Sequence, residues 1–180
     1  MTLAQSIFAG LVAVVLIQRV AELRLAKRNE SWARAQGARE LGAGHYPLFF
    51  LLHGAWGIGW ISEALLGGPT LAPMWWLWLA GFVLAEALRY WAIATLGQRW
   101  NTRILVIDGL PAIRSGPYRF VAHPNYLAVA LELVCIPMIF DAWITAAIAS
   151  VLNAALLLGI RIPAEQRAVA AASQAVRERD

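Results

Sequence analysis

Long apolar runs dominate the chain, and their lengths set its fold class. A helix crossing ~30 Å of hydrocarbon needs about 20 predominantly apolar residues. The first run, Leu3 to Leu23, is interrupted by Gln18, Arg19 and Glu22 near its end. A second runs from Pro47 to Leu66 and a third from Met74 to Leu96, separated by the turn formers Gly67, Gly68, Pro69 and Pro73. The fourth, Asn125 to Ile160, is too long for one crossing. Pro137 and Asp141 divide it into two helices that must pair as a tight hairpin. The pattern predicts five transmembrane helices in a single all-α membrane domain over 1–180. Residues 1–96 carry three spans, and 97–180 a loop, the hairpin and a short Ala-rich helix around Glu165, Gln166 and Arg167. The first run has neither a basic leader nor a small-residue cleavage site, so it reads as a span rather than a signal peptide.

Composition agrees with the pattern. Of 180 residues, 60% are hydrophobic and 14% charged, and the mean hydropathy is +0.59, more apolar side chain than a soluble domain of this size can bury. The formal charge of +4 matters less than its placement, and nothing in it points to a nucleic-acid partner. Arg24, Lys27, Arg28, Arg34 and Arg39 follow span one; Arg99, Arg103, Arg114 and Arg119 follow span three; Arg161, Arg167, Arg177 and Arg179 follow span five. The opposite connections carry no basic residue, so the positive-inside rule puts the N-terminus outside and the C-terminus in the cytoplasm. Trp75, Trp76 and Trp78 then open span three at the outer interface, where indole rings anchor. The single cysteine, Cys135, lies in an apolar run, and His45, His53 and His123 lack metal-ligand spacing, so no metal site is expected.

Candidate chemistry gathers near one membrane face. The connection from Ile107 to Tyr126 holds Gly109, Pro111, Gly116, Pro117 and Pro124, and a long loop so punctuated commonly folds around a ligand. Pro124 also reads simply as a helix start. If spans four and five form a hairpin, Arg161 and Glu165 return to the face that holds His123 and Tyr126. Arg161 and Glu165 are spaced i, i+4, which suits a shared site or an ordinary surface pair. Within the spans, ionisable side chains are costly and carry a functional prior. Glu86 and Arg89, i, i+3 apart, are expected to neutralise each other; Glu63 is expected to be exposed near the outer interface; Glu132 is placed to line an inward cavity. Arg19, Glu22 and His53 have no assignment.

Taken together, Gly116-Pro117-Tyr118, His123-Pro124-Asn125-Tyr126, an apolar hairpin, and Arg161 with Glu165 resemble the isoprenylcysteine carboxyl methyltransferase family of integral membrane, S-adenosyl-L-methionine-dependent enzymes. Arg89-Tyr90-Trp91 and Leu96-Gly97-Gln98-Arg99-Trp100 share the likeness, which runs from about Arg89 to Ala170. The run from Arg103 to Pro111 and that from His123 to Glu132 are most similar to a bacterial branch that methylates alkylresorcinols and alkylpyrones made by type III polyketide synthases. The resemblance implies that Leu110, Pro111, Ala112, Ile113, Tyr118, His123, Pro124, Asn125, Tyr126 and Glu165 bind the methyl donor. It implies that Arg161 faces the acceptor, a lipophilic molecule entering from the bilayer among the membrane lipids. Ala122, Ala128 and Gln166 depart from residues common in the family.

Methyl transfer from a sulfonium is an in-line displacement that mainly needs alignment and dryness. Arg161 would favour an anionic oxygen, whether a phenolate, an enolate or a prenylcysteine carboxylate. Glu165, His123 or Glu132 would take the proton of a hydroxyl acceptor. Phospholipid amines are a further acceptor class. The competing readings are an NADPH-dependent sterol-type reductase with a similar His-Pro-Asn-Tyr region, and a non-catalytic membrane partner subunit.

Overall fold

The computed structural model describes residues 1–177, so Arg179 of the basic tail lies outside the described residues. Six helices and one two-stranded ribbon make up the fold: α1 (Leu3–Ala35), β1 (Arg39–Leu41), α2 (Tyr46–Leu66), α3 (Trp75–Leu96), β2 (Ile104–Val106), α4 (Pro124–Ile139), α5 (Trp143–Leu156) and α6 (Ile162–Arg177). The all-α membrane class holds, with a correction to the span count. Among the described residues four helical stretches are long and apolar enough to cross a membrane: Leu3–Ala35, Ala43–Leu66, Trp75–Arg99 and Trp143–Ala168. The fifth, α4, has 16 residues, roughly 24 Å at 1.5 Å per residue against ~30 Å of hydrocarbon. Prolines bound it: Pro124 sets its first turn, and Pro137 closes its last.

Two helices outrun their apolar stretches. Thr2 and Gln5 form a capping box at the start of α1. The helix then continues past Leu23 to Ala35 because its polar extension is built from Ala, Arg, Lys and Glu, all good helix formers. At the other end, a π-turn over Leu157–Arg161 joins α5 directly to α6. Pro163 is accommodated in the first turn of α6.

The expected hairpin is present. The chain turns at Phe140–Ala142, with Asp141 in the left-handed region at φ 58°. Pro137 cannot donate to the carbonyl of Leu133, and Trp56 Nε1 from α2 donates to that oxygen instead, at 3.1 Å. At the start of α5 the free backbone amides of Ile144 and Thr145 donate to Glu63 of α2, at 3.1 and 2.9 Å. Glu63 is therefore a helix cap delivered from a neighbouring span, not the merely exposed residue its position suggests.

The core follows from the aromatic and branched faces that these helices share. Trp56, Trp60, Phe82, Leu133, Ile136, Ile139 and Phe140 are buried together with Leu11 and Val15 of α1. The broadest interface joins α3 to α4, where Ala85, Ala92 and Ala128 are fully buried. Small residues let the backbones approach. A Cβ on Gly81 would come within 2.8 Å of Cys135 Sγ, so the lone cysteine is a packing residue.

The ribbon was not foreseen by any pattern. It pairs β1 with β2 antiparallel, with Glu40 opposite Leu105, and ties the two basic connections together at one end of the bundle. Arg103 bonds Glu40 and stacks over the Tyr46 ring at 4.4 Å. Arg39 bonds Asp108 at 2.8 Å. Asn29 of α1 donates to the carbonyls of Gly97 and Trp100, at 3.2 and 2.8 Å, fixing the segment after α3.

Candidate functional site

At the end of the bundle that carries the ribbon, four side chains converge, His123 and Tyr126 from the start of α4, Arg161 from the π-turn and Glu165 from α6. Pro124 starts α4 so that Tyr126 lies in its first turn, and the π-turn after α5 places Arg161 opposite. Arg161 Nε donates to the Tyr126 hydroxyl at 3.0 Å, and that hydroxyl donates to Glu165 Oε2 at 2.6 Å. Arg161 Nη2 donates to the Thr102 carbonyl at 3.0 Å, and its guanidinium lies 5.9 Å from the centre of the Phe49 ring. The His123 ring stacks on Tyr126 with centroids 5.1 Å apart, and its Nδ1 is 3.9 Å from Glu165 Oε2. Arg161 is 8% exposed, while the Glu165 side chain is 35% exposed. A buried cation thus faces a partly exposed carboxylate, with a phenol between them.

The flanking loop has the backbone its sequence requires. Gly116 adopts φ +55°, and a Cβ there would lie 2.3 Å from Thr95 Oγ1, so glycine alone fits between α3 and the Pro117 turn. Burial, followed by the negative charge of Glu165, pushes the Tyr118 phenol up to about 12, which keeps it protonated as a hydrogen-bond donor. Leu110, Pro111 and Ala112 are exposed, and the Pro111 carbonyl accepts a 2.8 Å bond from Arg99. Ile113 is half-buried and Pro124 fully buried. Asn125 keeps a buried Oδ1 with no hydrogen-bond partner.

Glu132 belongs to a different group. It is 2% exposed and bonds both Arg19 of α1 and Arg89 of α3. Arg89 also reaches Glu22 at 3.3 Å, Arg19 reaches Glu22 at 2.8 Å, and Gln18 donates to Glu86 at 2.6 Å. The expected ion pair of Glu86 with Arg89 is present, at 3.5 Å and without a hydrogen bond, while the Arg89 guanidinium gives its hydrogen bonds to Glu132 and Glu22. The previously unassigned Arg19 and Glu22 complete this cluster, and His53 bonds back to the Phe49 carbonyl at 2.7 Å. Thr102 and Phe49 had no sequence signal, since one serves through its backbone and the other through its ring face. Among the described residues no three His, Cys, Asp or Glu side chains group as metal ligands.

The ribbon beside the site is expected to lose stability in acid. The hydrogen bond from Arg103, joined by one from Arg34, holds the Glu40 carboxyl below its ordinary value of 4.5. A carboxylate depressed by folding contributes stability above its unfolded pKa and loses it as pH falls through the lower folded value. Amide protection across Arg39–Leu41, followed by hydrogen exchange corrected for intrinsic rates, is therefore expected to drop as pH falls below about 4.5. Glu40→Gln is expected to flatten that step; an unchanged profile in the variant would assign the acid sensitivity elsewhere.

Comparison with known proteins adds to this geometry. The profile of the Isoprenylcysteine carboxyl methyltransferase (ICMT) family matches residues 76–171. That range begins in α3, earlier than the sequence resemblance, and contains Tyr118, His123, Tyr126, Arg161 and Glu165. The uncharacterized protein YpbQ of Bacillus subtilis (strain 168) is 40% identical over 160 residues, spanning 88% of this chain and 94% of its own. An uncharacterized protein of Haemophilus influenzae is 27% identical over 158 residues, 87% of this chain and 91% of that one. No solved structure matches.

Proposed function

This chain belongs to the isoprenylcysteine carboxyl methyltransferase family, and from that premise we propose that it transfers the methyl group of S-adenosyl-L-methionine to an oxygen of a lipid-tailed acceptor. The family is one of S-adenosylmethionine-dependent methyltransferases, so a membrane methyltransferase is the general activity. The specific acceptor in this proposal is the phenolic or enolic hydroxyl of an alkylresorcinol- or alkylpyrone-like lipid, with a prenylcysteine carboxylate as the second choice. The observation that carries it is the Arg161–Tyr126–Glu165 chain at the mouth of α4.

The residues suit the donor. Asn125 offers an unpartnered acceptor, Glu165 a carboxylate, and His123, Tyr126 and Tyr118 flat rings. With them the loop over Leu110 to Ile113 and Pro124 would hold the donor against the bundle. When bound, the donor supplies a methyl carbon activated by its sulfonium.

The chain's own groups do the rest. Arg161, held by the Thr102 carbonyl and the Tyr126 hydroxyl, orients the acceptor oxygen and favours its anionic form. A phenol, starting near ~10 as in tyrosine, is lowered by such a neighbour. Glu165, hydrogen-bonded to Tyr126 and open to water, takes the proton of a hydroxyl acceptor, whereas a carboxylate acceptor needs no base. Glu132, engaged by two arginines, is poorly placed for that role. Burial of Arg161 limits water at the acceptor oxygen. The excess of basic residues at this end supports placing it in the cytoplasm, with the N-terminus outside.

Calorimetry on the detergent-purified protein tests the reading. S-adenosylmethionine is expected to bind, Glu165→Ala to weaken it at least about tenfold through loss of a charged contact, and NADPH not to bind. NADPH binding without donor binding would establish the reductase instead. A folded protein that binds neither would establish a non-catalytic subunit.

A further inference from the structure

Along the seam between α4 and α5 runs a groove of about 360 Å³, lined by Tyr126, Ala130 and Val134 on one side and by Ser150, Asn153 and Leu157 on the other. Tyr126, which lines it, bonds both Arg161 and Glu165, so the groove adjoins the candidate site. From there it runs between α4 and α5.

Its walls are apolar except at one point. Asn153 is only 3% exposed, and its Oδ1 is buried with no hydrogen-bond partner. Ser150, one turn earlier on the same helix, has an equally buried and unpartnered Oγ. A helix hydroxyl ordinarily returns to the carbonyl four residues before it, as Ser6, Ser31 and Thr95 do in this chain. Ser150 does not. In hydrocarbon, unmade hydrogen bonds are costly, and two adjacent ones within the wall of one groove call for a polar occupant.

We infer that this groove holds the acceptor's tail and that Asn153 with Ser150 recognises a hydroxyl carried on that tail. A hydroxyl both donates and accepts, which matches an amide oxygen and a serine side by side. The recognition point lies about 12 Å from Arg161 along the helix, at 1.5 Å per residue. That separation defines the preferred substrate: an anionic head at Arg161 and an oxygen function partway down an otherwise apolar chain. This inference rests on the methyltransferase reading for the identity of the occupant, and on the groove alone for its polar preference.

The test is competition binding in nanodiscs. Tritiated pentadecylresorcinol is displaced by a series of alkylresorcinols whose single tail hydroxyl is moved along the chain. The wild-type protein is expected to bind one member about tenfold more tightly than the unsubstituted lipid, as one well-made hydrogen-bonding pair would give. Asn153→Leu with Ser150→Ala removes two unsatisfied groups, so the protein is expected to stay folded while losing that preference. A wild type indifferent to the hydroxyl at every position, a preference that survives in the double variant, or failure of the whole series to bind would each overturn the inference. So would a double variant that alters only self-association, which would make the groove a seam between two copies. Methyl transfer indifferent to the tail would leave the proposed activity standing and remove the groove. The binding preference without any methyl transfer would do the reverse.

Discussion

Replacing Arg161 with alanine is expected to lower methyl transfer by at least about 100-fold while changing donor affinity by no more than a few-fold. A preorganised charge aimed at a reacting oxygen in a site shielded from water is worth about two to three orders of magnitude in turnover. Arg161 has the geometry such a role needs: buried, bonded through Nε to Tyr126 and through Nη2 to a backbone carbonyl, with its orientation fixed from two sides. The residues proposed to hold the donor, Asn125, His123 and Glu165, make no hydrogen bond to Arg161 and remain in the variant. Arg161→Lys keeps the charge and loses the two-pronged fixation, so an intermediate rate is expected. Initial rates at saturating donor, with donor calorimetry on the same preparations, check this. Equal loss of rate and donor affinity would move Arg161 from the acceptor to the donor.

The second large effect is on stability. Arg89→Ala is expected to destabilise the protein by about 3–5 kcal/mol, the cost of leaving a buried charge without its partner. Arg89 and Glu132 are each 2% exposed and bonded to each other, and Arg89 also serves Glu22. Without it, three carboxylates share Arg19 and Gln18. The double variant Arg89→Leu with Glu132→Leu is expected to recover most of the loss, because apolar replacement of a whole buried pair is often neutral. It leaves Arg19 paired with Glu22 at 2.8 Å. Unfolding in detergent, followed by heat and by denaturant, reads both variants. A single variant as stable as the wild type would show that the cluster is hydrated and screened.

What the sequence made legible follows from where its punctuation is strong. Spans two and three end within a residue or two of expectation because Pro47, Gly67, Gly68 and Pro73 leave no alternative. The hairpin follows from Pro137 and Asp141, and with it the meeting of Arg161, Glu165, Tyr126 and His123, which needs only an antiparallel return. The extension of α1 was hidden because a polar, helix-forming segment looks like a basic loop. The ribbon was hidden because strands of three residues show no alternation. The further partners of Arg89 were hidden for a different reason. Spacing along one helix gives the ion pair with Glu86, while the hydrogen bonds to Glu22 and Glu132 depend on how α1 and α4 are rotated against α3, which no single-helix pattern encodes.

The indole of Trp56 on the Leu133 carbonyl bears on how the protein is made. As it leaves the ribosome, α4 is a poor candidate for entering lipid unaided: short, missing an amide at Pro137, and carrying Glu132. Every group that answers these defects, Arg19, Trp56 and Arg89, belongs to a helix synthesised earlier. The order of translation is thus also the order of dependence, since α4 finds the partners it needs in helices that precede it.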